Sequence, residues 1–249
     1  MFDGLSGKAI LVTGASGAIG SAMARLFAQH GAAVGLHYAD GQRQVLALQR
    51  AIRHAGGVAE CFQGDLLELG RPQALLRAFL KRFGAIDVLV NNAGAVFGAR
   101  SFIELDERSW ERTMTLNARA PFFLARQAFR HMQRTLGGKI INISSIAARY
   151  GGSTNTMHYG AAKAALEAMT IGMARAGARH RILVNAIQAG FIRTPFHGAI
   201  ADKNIRKRIA MIPLQRAGTP MDVAQTALFL ASSAGDFITG QIVVVSGGD

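Results

Sequence analysis

The chain has 249 residues, half of them hydrophobic and only 17% charged, which excludes a disordered protein and allows a sizeable core. Lysine and arginine number 28 against 15 acids, and a net charge of +13 attracts anions, whether nucleic acid, a phosphorylated cofactor or an acidic protein. The lone cysteine, Cys61, excludes an internal disulfide, and no apolar stretch reaches the roughly 18 residues of a membrane span, so a cytoplasmic protein is expected.

Taken in order, short apolar runs rich in Val and Ile alternate with longer amphipathic stretches. Strands are expected at 8–13, 32–38, 58–63, 86–92, 139–144, 182–187 and 241–246, each nearly continuous in apolar residues, as in strands covered on both faces. Helical periodicity occupies 18–30, 41–55, 71–83, 107–136, 158–178 and 221–233, with glycines such as Gly84 punctuating the ends. That alternation calls for one α/β domain over 1–249, a doubly wound parallel sheet of about seven strands with helices on both faces. Ligands in such a sheet sit beyond the carboxyl ends of the strands, so the polar turns after 13, 38, 63, 91, 144 and 187 share one edge. Those turns hold the Gly, Asn and Ser clusters TGASGAIG, ADGQR, GDL, NNAG, SSIAARYGG and QAGFIRTP.

The first turn places glycines at 14, 17 and 20 between a strand and a helix, a phosphate-cradle arrangement with unusual spacing. Gly14 permits a tight exit from the strand, Gly17 a close backbone approach, and Gly20 the packing of helix on sheet. Ala18 stands where a glycine is more usual; a left-handed alanine would cost about 1–2 kcal/mol, so right-handed helical angles are expected there. Further on, Tyr159 and Lys163 in MHYGAAK lie four residues apart on one helix face. A cation beside the phenol lowers its pKa from about 10 toward neutrality, which makes the tyrosine a usable general acid or base. Ser144 and Ser145 end the preceding strand at the ligand edge.

TGASGAIG, NNAG, SS, YGAAK and GFIRT occur in this order, one per expected strand end, and on these motifs the chain resembles the short-chain dehydrogenase/reductase family over essentially its whole length. The resemblance implies a single-domain Rossmann-type fold and an NAD(P)-dependent oxidoreductase that interconverts a ketone and a secondary alcohol, with no metal. It assigns proton transfer to Tyr159, pKa tuning and ribose binding to Lys163, the substrate oxygen to Ser145 and a relay water to Asn117. Cofactor contacts fall on Gly14, Ser16, Gly17, Ala18, Ile19 and Gly20, on Asp65 and Leu66 beside the adenine, and on Asn91, Ala93 and Gly94. Gly190, Ile192 and Thr194 would hold the nicotinamide carboxamide. Ala189 departs from the family pattern, standing where a proline usually precedes the glycine.

Tyr38 occupies the position at which an NAD enzyme carries an acid for the ribose hydroxyls. With that charge missing and Arg43 nearby, helped by His37 or Gln42, NADP(H) is expected to be preferred and NAD(H) remains open. A lid over about 190–215 carries a basic cluster at Lys203, Arg206, Lys207 and Arg208, suited to an acyl chain or ring with an anionic handle. The closest overall likeness is to 3-oxoacyl-acyl-carrier-protein reductases, so the substrate would ride on acyl carrier protein or coenzyme A, with Arg126, Arg130 and His180 as docking contacts. A homotetramer through 107–136, 158–178 and the last strand is the family's habit. Sugar, steroid and xenobiotic alcohol dehydrogenases are the alternative within the family. A nucleotide sensor or nucleic-acid binder on the same scaffold is the alternative outside it, ranked lower because Ser145, Tyr159, Lys163 and Asn117 are all present and a binding module has no need of a tuned tyrosine–lysine pair.

Overall fold

The apolar runs form seven strands: β1 (Ala9–Val12), β2 (Ala33–Tyr38), β3 (Val58–Gln63), β4 (Val88–Asn91), β5 (Gly138–Ser145), β6 (Ile182–Ala189) and β7 (Ile242–Val245). This computed structural model describes residues 3–98, 100–135, 137–194 and 202–249, main chain alone at 202–204. All strands pair in parallel, in the order β3-β2-β1-β4-β5-β6-β7. The winding therefore reverses between β1 and β4, and their carboxyl ends open the crevice in which such sheets bind ligands.

The helices are α1 (Ala18–Gln29), α2 (Gln42–His54), α3 (Arg71–Phe83), α4 (Glu107–Met114), α5 (Ala120–Met132), α6 (Ala147–Tyr150), α7 (Met157–Gly177), α8 (Asp202–Ala210) and α9 (Pro220–Ala231). Successive strand residues point to opposite faces, so each continuous apolar run feeds two cores. Val12, Val34, Val90 and Ile141 meet Met23 and Phe27 of α1, Val45 and Leu48 of α2, and Val223 and Leu228 of α9. Leu11, Leu89, Ile140 and Val184 meet Leu76 and Phe79 of α3 and Leu124 and Met132 of α5 on the other face.

Three sequence expectations change. The helix expected over 107–136 is interrupted: a π-helical turn at Thr115–Arg119 separates α4 from α5. Pro121 supplies the reason, because it has no N–H to give the carbonyl four residues back, which is that of Asn117. The short α6, and α8 within the segment expected to be a lid, were not expected as helices at all. β5 and β6 also run further than the apolar pattern suggests, to Ser145 and Ala189, which remain in register with each other. Ala189 is held on both sides without a proline: its carbonyl accepts from Ile146 N–H (3.0 Å), and Gly190 N–H donates to the Val245 carbonyl (2.9 Å).

Candidate active site

β1 ends at a turn that several elements hold in place. Thr13 Oγ1 accepts from the amides of Asn92 (2.9 Å) and Ala93 (3.0 Å), and Asn92 Nδ2 donates to the carbonyls of Thr13 (2.8 Å) and Gly14 (3.2 Å). Gly14 has φ +66, and a Cβ there would lie 3.0 Å from Ala93 Cα. Ala18 is the first residue of α1, and the described non-glycine residues with positive φ are Arg181 and Gln215, so the right-handed expectation holds. Gly20 differs from its expected role: its missing side chain admits the Gly14 carbonyl, 2.4 Å from where a Cβ would stand, so the helix packs on the turn itself. Gly17 is extended (φ −78, ψ 161) and caps α1 without a side-chain bond. The first-turn amides, at Ala18, Ile19 and Gly20, have no acceptor within the helix and suit an anion.

His37 corrects a further expectation. It is buried, its Nδ1 accepts from Gly14 N–H (3.3 Å) and its Nε2 donates to the Gly64 carbonyl (2.9 Å). Burial pushes its pKa down to about 4, so it is neutral and committed to the turn, not available to a phosphate. Tyr38 also faces inward, 5% exposed in the core. What faces outward at this corner is Gln42 and Arg43 in the first turn of α2. Gly41 (φ +80) brings α2 against Ser16 of the glycine turn, since a Cβ there would lie 2.9 Å from Ser16 Cβ. Beyond β3, Asp65 Oδ1 accepts from the Leu67 amide (2.9 Å) and Leu66 is buried.

Asn91 is a tie within the sheet. Its Nδ2 donates to Asn142 Oδ1 (2.9 Å) and the Pro121 carbonyl (3.4 Å), and Asn142 Nδ2 donates to Thr170 Oγ1 (2.8 Å) on α7. Gly94 comes next after Ala93, and a Cβ on it would lie 2.7 Å from Asn117 Oδ1 and 3.3 Å from Lys163 Nζ. At the far side, a Cβ on Gly190 would sit 2.6 Å from Ser246 Cα, and Ile192 bridges to Gly218. Thr194 is the last described residue before 195–201; that part of the expected lid, and the Lys203 side chain, lie outside the described residues.

The four expected catalytic residues converge from β5, α7 and the π turn. Ser145 lies close enough to Tyr159 to oppose the rise in its pKa, and its Oγ accepts from the Ala147 amide (3.2 Å). Lys163 is buried, its Nζ donates to the Ile143 carbonyl (2.8 Å) and lies 5.5 Å from the centre of the Tyr159 ring. Asn117 donates through Nδ2 to the carbonyls of Ala95 (2.7 Å) and Thr113 (2.9 Å), while its buried Oδ1 has no partner. The electrostatics differ from the sequence expectation. Burial pushes the Tyr159 phenol up to about 12, against the opposing effect of nearby Ser145, and the lysine charge is directed at a carbonyl. Burial also pushes Lys163 down to about 8, with Glu167 working the other way. A lysine in that range exchanges protons close to neutral pH.

The same residues fit a dinucleotide. Gly14, Gly17 and Gly20 form a cradle, the first turn of α1 has no side-chain cap, and the unpartnered Asn117 Oδ1 lies beside the Gly94 clearance. Sequence reasoning gave no role to Thr13 or to Glu167, although Glu167 is the only acid between Thr113 and Ala201. Two surface expectations also shift. Arg126 stacks over Phe123 (4.7 Å) with its Nε buried, leaving Arg130 the exposed member of the pair, and His180 Nε2 accepts from Arg179. Arg208 of α8 pairs with Asp249 and approaches Tyr150 (3.5 Å), so it is not a free cation.

A family model described as enoyl-(acyl carrier protein) reductase matches residues 14–249. A 3-oxoacyl-acyl-carrier-protein reductase of Chlamydia pneumoniae is 36% identical over 247 residues, covering 98% of this chain and 97% of the relative. The crystal structure of the angucycline C-6 ketoreductase LanV with bound NADP superposes with a TM-score of 0.91 at 32% identity, covering 98% of this chain and 96% of that one. A short-chain dehydrogenase/reductase from Serratia marcescens gives 0.92 at 32% identity, covering 98% of both chains. The chain belongs to the short-chain dehydrogenase/reductase family.

Proposed function

We propose that the chain is an NADPH-preferring reductase that converts a ketone to a secondary alcohol. The observation that carries this reading is Tyr159 one helical turn from buried Lys163, whose Nζ lies 5.5 Å from the centre of the phenol ring, with Ser145 beside them at the end of β5. Gly14, Gly17 and Gly20 would take the pyrophosphate, Asp65 and Leu66 the adenine, and Ile192 and Thr194 the carboxamide. Bound there, the nicotinamide supplies the hydride. Ser145 Oγ holds the carbonyl oxygen, and Tyr159 Oη gives it the proton. Lys163 Nζ turns from the Ile143 carbonyl toward the phenol, steadies the phenolate that remains, and returns the proton. The Oδ1 of Asn117, which has no partner in the protein, holds the water through which Lys163 is resupplied.

Preference for NADPH is supported by the absence of an acid at the end of β2, by exposed Arg43 and by the NADP in the LanV structure. The acyl-carrier-protein reductases among its relatives support a substrate carried as a thioester, with Arg130 as a docking contact for an acidic carrier. Reduction at a carbonyl is favoured over reduction of a carbon–carbon double bond by the presence of both a serine and a tyrosine hydroxyl at this strand end and by the 3-oxoacyl reductases among the relatives. A tetramer is supported by apolar exposure at Ile171 of α7 and Val244 of β7. A reducing cytoplasm suits the lone Cys61.

The test is NADPH and NADH oxidation over acyl thioesters, sugars and cyclic ketones. At least one ketone class is expected to be reduced with kcat/KM at least tenfold higher for NADPH. Comparable values with both cofactors contradict the preference. Salt-dependent DNA binding with no oxidation of either cofactor contradicts the whole reading.

A further inference from the structure

Glu167 is the one acid in a strongly basic stretch, and it lies one turn beyond Lys163 on α7. It is half-buried, and its Oε1 accepts two hydrogen bonds, from Ser144 Oγ (2.6 Å) and from Gln188 Nε2 (2.8 Å). Ser144 and Gln188 are direct partners across the β5–β6 ladder, each one residue before the end of its strand. The next pair in register is Ser145 and Ala189, which leads into Gly190 and the expected nicotinamide segment. Thus one carboxylate oxygen joins three elements immediately behind the substrate-facing serine. A carboxylate placed there costs burial energy that a neutral side chain would avoid.

The titratable groups turned toward Lys163 are Tyr159 and Glu167, both on α7. β5 and β6 present Ser144, Ser145 and Gln188, and the π turn presents Asn117, all uncharged. The neighbouring His158 is directed at the Phe97 carbonyl (2.6 Å). Glu167 is therefore the negative charge within this group that opposes the desolvation of Lys163.

We propose that Glu167 is a positioning residue for the reaction: it clamps the ends of β5 and β6 to α7, fixing Ser145 against Tyr159, and its charge keeps Lys163 protonated at neutral pH. This rests on the reductase reading for its catalytic consequence and, for its effect on the lysine, on the spacing of four residues that puts both side chains on one face of α7.

The experiment has two readouts. Side-chain NMR of the full chain labelled with [15N]lysine, the Lys163 signal being assigned by its loss in Lys163→Met, gives the lysine titration without turnover. Glu167→Gln keeps an acceptor for Ser144 and Gln188 but removes the charge. It is expected to move the Lys163 titration at least one pH unit downward, a tenfold loss of proton affinity. With acetoacetyl-CoA and NADPH, the pH profile of kcat should shift in the same direction while KM stays within twofold. Glu167→Asp keeps the charge but shortens the reach, and should retain the titration while raising KM; it also serves if Glu167→Gln folds poorly. An unchanged Lys163 titration in Glu167→Gln, or in Glu167→Asp a titration shifted downward, overturns the proposal. A shifted titration in an enzyme that reduces no ketone upholds Glu167 as the charge partner of Lys163 and overturns the reductase reading instead.

Discussion

Tyr159 and Lys163 are four positions apart in the chain, so their meeting on one helix face is local geometry that the sequence displays. The partners that give each its chemistry are not local. Lys163 donates to Ile143, 20 residues away, and Glu167 accepts from Ser144 and Gln188, at separations of 23 and 21 residues. For the same reason the sequence suggests a lowered phenol, while the folded site holds it at about 12 through burial. His37 shows the same gap between residue type and role: a histidine beside a nucleotide turn reads as a phosphate ligand, but long-range packing makes it a neutral tie. Its pKa of about 4 lies below the ordinary 6.5, so the unfolded chain takes up its proton first as pH falls. The stability it confers is complete above pH 6.5 and is lost toward pH 4, by about 3 kcal/mol. Urea unfolding at pH 7 and pH 4.5 should show that loss in the wild type and a much smaller one in His37→Asn. Equal pH dependence in the two proteins would contradict the tie.

Among the elements, all seven strands were legible because each is an apolar run covered on both faces, and turn glycines mark their boundaries. The uninterrupted helix over 107–136 was misread for a physical reason. Hydrophobic periodicity continues through a π turn, and only Pro121, placed to strip Asn117 of its intrahelical partner, signals the break. The α8 helix, DKNIRKRIA, is too polar to show an apolar stripe, and Arg208 gains its partner Asp249 from 41 residues away. In the glycine turn the sequence locates the motif but not which glycine is sterically essential. The structure points to Gly20, where a methyl group would collide with the Gly14 carbonyl. Gly20→Ala should therefore displace the turn at a cost of about 1–3 kcal/mol, lowering the melting temperature by several degrees. NADPH should bind at least tenfold more weakly by fluorescence titration. Wild-type affinity in that variant would contradict this account of the cradle.

At the scale of the whole molecule, parallel winding delivers the candidate catalytic residues and the expected cofactor turns to one edge of a single sheet. The order β3-β2-β1-β4-β5-β6-β7 puts the phosphate turn at the reversal of winding and the hydroxyl pair two strands away at the end of β5. This arrangement was readable from the alternation of elements and the order of the motifs. The substrate was not, because the expected lid includes 195–201, which lie outside the described residues, and the charge of the surface is general. The central claim is that this edge passes hydride to a carbonyl carbon while Tyr159 protonates the oxygen. The measurement that tests it most directly uses NADPH deuterated at nicotinamide C4, in the transferable position, with a ketone found in the cofactor screen. The account predicts deuterium at the carbinol carbon of the alcohol and at least a hundredfold fall in its rate of formation in Tyr159→Phe, with NADPH binding retained. An alcohol without the label, or one formed at the wild-type rate by Tyr159→Phe, would contradict it.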